Sequence, residues 1–68
     1  MSKHDLKKFG KNLRRIRESR NLTQEQLAEL IGFSTNFVGM VERAERNTTV
    51  ENVFKIARAL GIKPEELF

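Results

Sequence analysis

Apolar residues recur along this chain with the period of a helix, and no segment alternates as a strand would. Leu6, Phe9, Leu13 and Ile16 stand at i, i+3, i+7 and i+10, one face of a first helix predicted from about Asp5 to Ser19. Gly10 lies inside it at a cost of up to roughly 1 kcal/mol against Ala, which a close helix contact would explain. Asn21 ends it, because Asn tolerates the left-handed cap conformation. Thr23-x-x-Gln26 is a capping box that opens a second helix. Leu27, Ala28 and Ile31 form its buried side, and Gly32 stops it. Ser34 opens a third helix that runs to about Arg43, with Val38 and Val41 as its inward pair. Thr48 or Thr49 caps a fourth, and Thr48-x-x-Glu51 matches a capping box. Val50, Val53, Ile56, Ala57 and Leu60 are its inward side, and Gly61 ends it. Pro64 suits the first turn of a fifth, short helix, Pro64 to Phe68, because its missing N–H is not needed there.

Five helices with connections of two to six residues predict a compact all-α domain over residues 1–68, with a helix-turn-helix at about 23–43. The composition narrows the chemistry. Absence of cysteine removes disulfides and thiolate metal sites, so the small core depends on helix packing. His4 is the only histidine, which removes a histidine cluster. There is no tyrosine and no GxxxxGK[ST] loop. No enzyme, cofactor or metal is expected from this inventory. No apolar run approaches the roughly 20 residues that span a bilayer, and the N-terminus lacks a signal-peptide apolar region. The expected location is the cytoplasm, in association with the nucleoid.

The net charge of +4 is unevenly spread. Residues 1–20 carry eight Lys or Arg against Asp5 and Glu18, a local excess of +6, and the remainder carries −2. A basic excess suits a polyanion, though a lysine-rich surface helix (Lys3, Lys7, Lys8, Lys11) reads equally well as a solvated face. Residues 23–42 sharpen the reading. Two short helices joined at Gly32 are spaced to cross. The second presents small polar side chains, Thr35 and Asn36, near its N-terminus. A polar helix tip braced by another helix is a device for reading the DNA major groove.

The same residues carry a family resemblance. Thr23-Gln24-Glu25-Gln26-Leu27-Ala28, Gly32, Ser34, Val38, Val41-Glu42-Arg43, Ile56-Ala57-Arg58-Ala59-Leu60-Gly61-Ile62 and Glu66-Leu67-Phe68 closely resemble the Cro and phage-repressor type of helix-turn-helix protein. The likeness covers about residues 6–68 in one register. It implies a phage-repressor-like fold and sequence-specific binding to double-stranded DNA as a repressor-like regulator of transcription. It implies base contacts from Thr35, Asn36, Gly39 and Met40. It implies phosphate contacts from Gln24, Ser34, Phe37, Arg43, Arg46 and Asn47. Arg17 and Glu42 resemble a structural ion pair that ties the first helix to the third.

Gly39 and Met40 depart from the family, which often has Ser, Lys, Arg or Gln there. Phe37 is also unusual, free either to lean into the core or to lie on the sugar-phosphate wall. Ala44 replaces the glycine usual after Glu-Arg. The loss of contacting groups at Gly39 and Met40 favours a second reading, a protein-interaction module of antitoxin-like or accessory-regulator kind. Arg43, Arg46, Gln24 and the net charge favour DNA. Such domains bind inverted repeats as dimers, and the apolar residues available for a homodimer are Phe54, Ile62 and Phe68. The chain reads either as a complete small regulator or as the DNA-binding part of a longer one.

Overall fold

Four hydroxyl side chains start the four α-helices of this protein. The computed structural model describes residues 1–68. Its elements are α1 (Lys3–Ser19), α2 (Gln24–Ile31), α3 (Thr35–Glu42), α4 (Val50–Leu60) and a closing 3₁₀ turn, Pro64–Leu67. Ser2, Thr23, Ser34 and Thr49 are the N-caps, each accepting a hydrogen bond from the backbone N–H three residues on. At Thr23 the capping box is complete, since the Gln26 Oε1 accepts from the Thr23 N–H at 2.9 Å.

The helix ends repeat one device as well. Asn21, Gly32, Ala44 and Gly61 all have positive φ, between +57° and +75°. In each case the next residue donates its N–H back to a carbonyl five residues earlier: Leu22 to Arg17, Phe33 to Ala28, Glu45 to Met40, Ile62 to Ala57. These bonds satisfy carbonyls that a helix end leaves open. Gly32 and Gly61 adopt that φ without a Cβ penalty. Ala44 adopts it with one.

Four expectations are corrected. The expected fifth helix is a single 3₁₀ turn, Pro64–Leu67, closed by i→i+3 bonds from the Glu66 N–H to the Lys63 carbonyl and from the Phe68 N–H to the Glu65 carbonyl. The first helix begins at Lys3, where Ser2 caps it, rather than at Asp5. Thr49, not Thr48, caps α4, so Thr48-x-x-Glu51 forms no box and the Thr48 hydroxyl is buried without a partner. Val50 then falls on the first residue of α4, beyond the end of the core stripe, and is exposed rather than inward-facing.

The core joins all elements. Phe9, Leu13 and Ile16 of α1 meet Leu27, Ala28 and Ile31 of α2, Val38 and Val41 of α3, Val53, Ile56, Ala57 and Leu60 of α4, and Leu67 of the closing turn. α3 packs against both α2 and α1, while the closing turn packs against α1 and α4. α1 comes close to the backbone of α3 at Gly10. A Cβ there would stand 2.6 Å from the Glu42 carbonyl oxygen and 2.7 Å from that of Val41. The glycine is therefore a packing requirement, as its position in the sequence suggested. The Asn12 amide donates to the Leu67 carbonyl at 3.1 Å, and the Arg20 Nε donates to the Leu60 carbonyl at 2.8 Å. These bonds fasten α1 and its C-cap to the closing turn and to the end of α4. No helix is long and apolar enough to cross a membrane.

Candidate nucleic-acid interface

The helix-turn-helix is α2, the Gly32 turn and α3. Val38 and Val41 are buried and fix α3 against the core. The opposite face of α3 is therefore set outward. Thr35 and Asn36 are exposed at its start. The Asn36 amide lies along the helix, its Nδ2 3.5 Å from the Met40 thioether sulfur. Met40 is half-buried. Ser34 uses its oxygen lone pair to cap α3 and keeps its O–H to donate.

One buried network holds this face in place. The Arg17 Nε donates to Glu42 Oε2 at 2.6 Å, and Nη2 donates to Oε1 at 3.1 Å. Arg17 Nη1 donates to the Leu22 carbonyl at 2.6 Å. Gln24 Nε2 donates to Glu42 Oε1 at 3.0 Å. α1, α2 and α3 are thus tied at a single carboxylate, and the expected Arg17–Glu42 pair is present in bidentate form. The hydrogen bond to Glu42 raises the Arg17 pKa above its ordinary value, outweighing the opposing effect of burial; the charges of Glu42 and Glu18 add to it.

That network alters the picture at Gln24 and Gly39. Gln24 is half-buried, with one amide hydrogen committed to Glu42. It has the second amide hydrogen and its backbone N–H for an outside acceptor. Gly39 is buried even though it lies on the outward side of α3, between Asn36 and Arg43. It presents little surface of its own. Arg43 Nη1 lies 2.8 Å from where a Cβ of residue 39 would stand, and Gln24 Oε1 lies 3.4 Å from it. Long helical side chains lean toward the N-terminus, and the Arg43 guanidinium has turned back over the glycine. Its Nε donates to Glu45 Oε1 at 3.1 Å.

Beside this face lies an aromatic pair. Phe37 is half-buried and packs edge-on against Phe33, with ring centroids 4.7 Å apart. Of the two arrangements open to Phe37, the structure has the one against the core. Arg46 sits 5.6 Å above the Phe37 ring, and Lys55 of α4 sits 5.4 Å from the Phe33 ring. The rings thereby support two cations at the edge of α3. Asn47 Oδ1 accepts from the Thr48 N–H at 2.9 Å, leaving its amide hydrogens outward. Lys55 and Glu45 were not singled out in the sequence. An exposed lysine on α4 and a glutamate in a polar loop carry no pattern; only the fold brings them to α3.

The outward residues gathered here are Thr35, Asn36, Met40, Arg43, Arg46 and Asn47. The helix-turn-helix family model matches residues 13–67. The chain belongs to the helix-turn-helix family. Its fold is close to the crystal structure of the restriction-modification controller protein C.AhdI from Aeromonas hydrophila. The TM-score is 0.92 at 49% identity, over 96% of this chain and 98% of that one. Control protein C.SmaI from Serratia marcescens is 41% identical over 64 residues, which covers 93% of this chain and 76% of that protein. The DNA-binding domain of the P22 c2 repressor is similar in fold, with a TM-score of 0.83 at 27% identity over 87% of this chain and 78% of that domain. The resemblance to phage repressors noted in the sequence is thus confirmed at the level of family and fold.

Proposed function

We propose that this protein, a DNA-binding transcriptional regulator of the helix-turn-helix family, reads an inverted-repeat operator as a homodimer and acts as a repressor-like controller. The observation that carries this reading is the outward face of α3. It offers Thr35 and Asn36 on a helix locked from behind by Val38, Val41 and the Arg17–Glu42–Gln24 network. Asn matches adenine N6 and N7 in bidentate fashion, and Thr offers its hydroxyl or its methyl group to a base edge. Met40 supplies an apolar contact suited to a thymine methyl.

Phosphates are assigned to the rim of that face. Ser34 and Gln24 lie at the starts of α3 and α2, where open N–H groups favour an anion. Arg46, held over Phe37, and Asn47 lie past the other end, and Lys55 of α4 stands over Phe33 in the turn before α3. Phe37 acts through Arg46 rather than by a polar contact of its own. Each neutralised phosphate adds affinity that falls with salt.

The dimer is assigned to the face of α4 and the closing turn. Phe54 and Ile62 line one groove there with Pro64, and Phe54 is half-exposed. Phe68 differs, because its ring lies 5.3 Å from that of Phe9 and so partly closes the core. Selection from a random duplex pool at about physiological salt tests the function. The expected product is an inverted repeat with half-site centres about 34 Å apart. Sedimentation should then show a dimer that Phe54→Glu converts to monomer. Enrichment of no sequence, with only weak salt-sensitive binding, would favour the protein-interaction reading instead.

A further inference from the structure

We infer that Gly39 is a specificity determinant by vacancy: it opens a slot along α3 through which Arg43 reads a guanine. This rests on the operator reading above and assigns Arg43 a base-reading role in place of the phosphate contact the family likeness implied.

The recognition face of α3 has a gap where residue 39 should project. Residues 36, 39, 40 and 43 share one face by helical spacing. Asn36 and Met40 fill their places, and Gly39 leaves its place empty. The Arg43 guanidinium occupies the space. Its Nη1 is 2.8 Å and its Cζ 3.6 Å from the Cβ position of residue 39. That Nη1 distance is closer than any side chain would permit. Any other residue at 39 displaces the guanidinium, and its flexible end can move at little cost.

The hydrogen bonding leaves donors for a base edge. Glu45 accepts from Nε at 3.1 Å, which leaves the Nη1 and Nη2 edge without a protein acceptor. That edge is a fork of parallel donors, the geometry that matches guanine O6 and N7. The Arg43 side chain remains half-exposed in this position. Gln24 Oε1 flanks the slot at 3.4 Å from the same point, while its amide is anchored to Glu42. Glu45 thus holds the guanidinium, and Gln24 Oε1 borders the same vacant position. A glycine inside an eight-residue helix costs up to roughly 1 kcal/mol against alanine. The slot supplies a reason for its use.

The test is duplex selection with the intact protein and with Gly39→Ala, Arg43→Lys and Arg43→Ala, each checked by thermal melting. The wild type should enrich a guanine at one position of each half-site. Gly39→Ala should melt higher, because alanine favours the helix, yet lose about tenfold of its preference for that guanine. Arg43→Lys should keep its salt slope and lose the same preference, since an ammonium lacks the planar fork. The double variant Gly39→Ala/Arg43→Ala should lose no more than Arg43→Ala alone. The inference is overturned if Gly39→Ala retains every base preference. It is equally overturned if Arg43→Ala weakens all duplexes alike and lowers the salt slope by one charge, the behaviour of a phosphate contact. If the wild type enriches no sequence, the operator reading itself falls, and this inference with it.

Discussion

At single residues, backbone conformation and buried charge decide what this protein tolerates. Ala44 is held at φ +59° in the turn after α3. A Cβ in that region costs roughly 1–2 kcal/mol, offset in part by the greater freedom glycine gives the unfolded chain. Ala44→Gly should therefore stabilise the protein by about 0.5–1 kcal/mol, raising the melting temperature by several degrees. A lower melting temperature would contradict the strain assigned there. Arg17 makes the opposite case. Its guanidinium is buried with all three nitrogens bonded to Glu42 or the Leu22 carbonyl. Arg17→Ala leaves Glu42 without its partner and should cost on the order of 3 kcal/mol. The Arg17 pKa is raised in the folded state. Such a group contributes its full stability below its ordinary pKa and loses it only as pH rises through the folded value. The gap between wild type and Arg17→Ala should thus stay constant from neutral to mildly alkaline pH. Urea titrations showing that gap closing over this range would refute the assignment.

At the scale of elements, most boundaries were readable because they depend on local chemistry. Thr23, Ser34, Gly32 and Gly61 act through their own side chain or φ, and each lies where the pattern put it. Errors arose where two local solutions compete. Thr48 and Thr49 both have the chemistry of an N-cap, and the loop from Glu45 decides between them. Thr49→Ala should cost about 1 kcal/mol, whereas Thr48→Val should be neutral or stabilising, because it replaces a buried hydroxyl that has no partner. Equal losses in thermal melts would reverse the assignment. Val50 follows from the same one-residue shift. The short final element was misread for another reason: periodicity cannot separate a 3₁₀ turn from one turn of α-helix in four residues.

Across the whole molecule, the outward face of α3 was legible as a set of positions but not as an arrangement. The sequence placed Thr35 and Asn36 outward, and they are exposed. The family likeness implied a base contact at Gly39, and the structure covers that residue with Arg43. The likeness implied a phosphate contact from Gln24, and Glu42 holds one side of its amide. Nothing in the sequence pointed to Lys55. These differences arise from contacts between residues on different elements or a turn apart, which no local rule specifies. The resulting molecule uses α1 and α2 as a brace and α3 as the presented surface, with the Phe33–Phe37 pair supporting cations at one edge.

The central claim is that the α3 face reads bases. It is tested most directly by titrating wild type and Asn36→Ala on the selected duplex and on its single-base variants, across a range of salt. The account predicts a loss of about 1–3 kcal/mol on the best duplex, relaxed preference at one position, and an unchanged salt slope. Retention of both affinity and base preference by Asn36→Ala would contradict it.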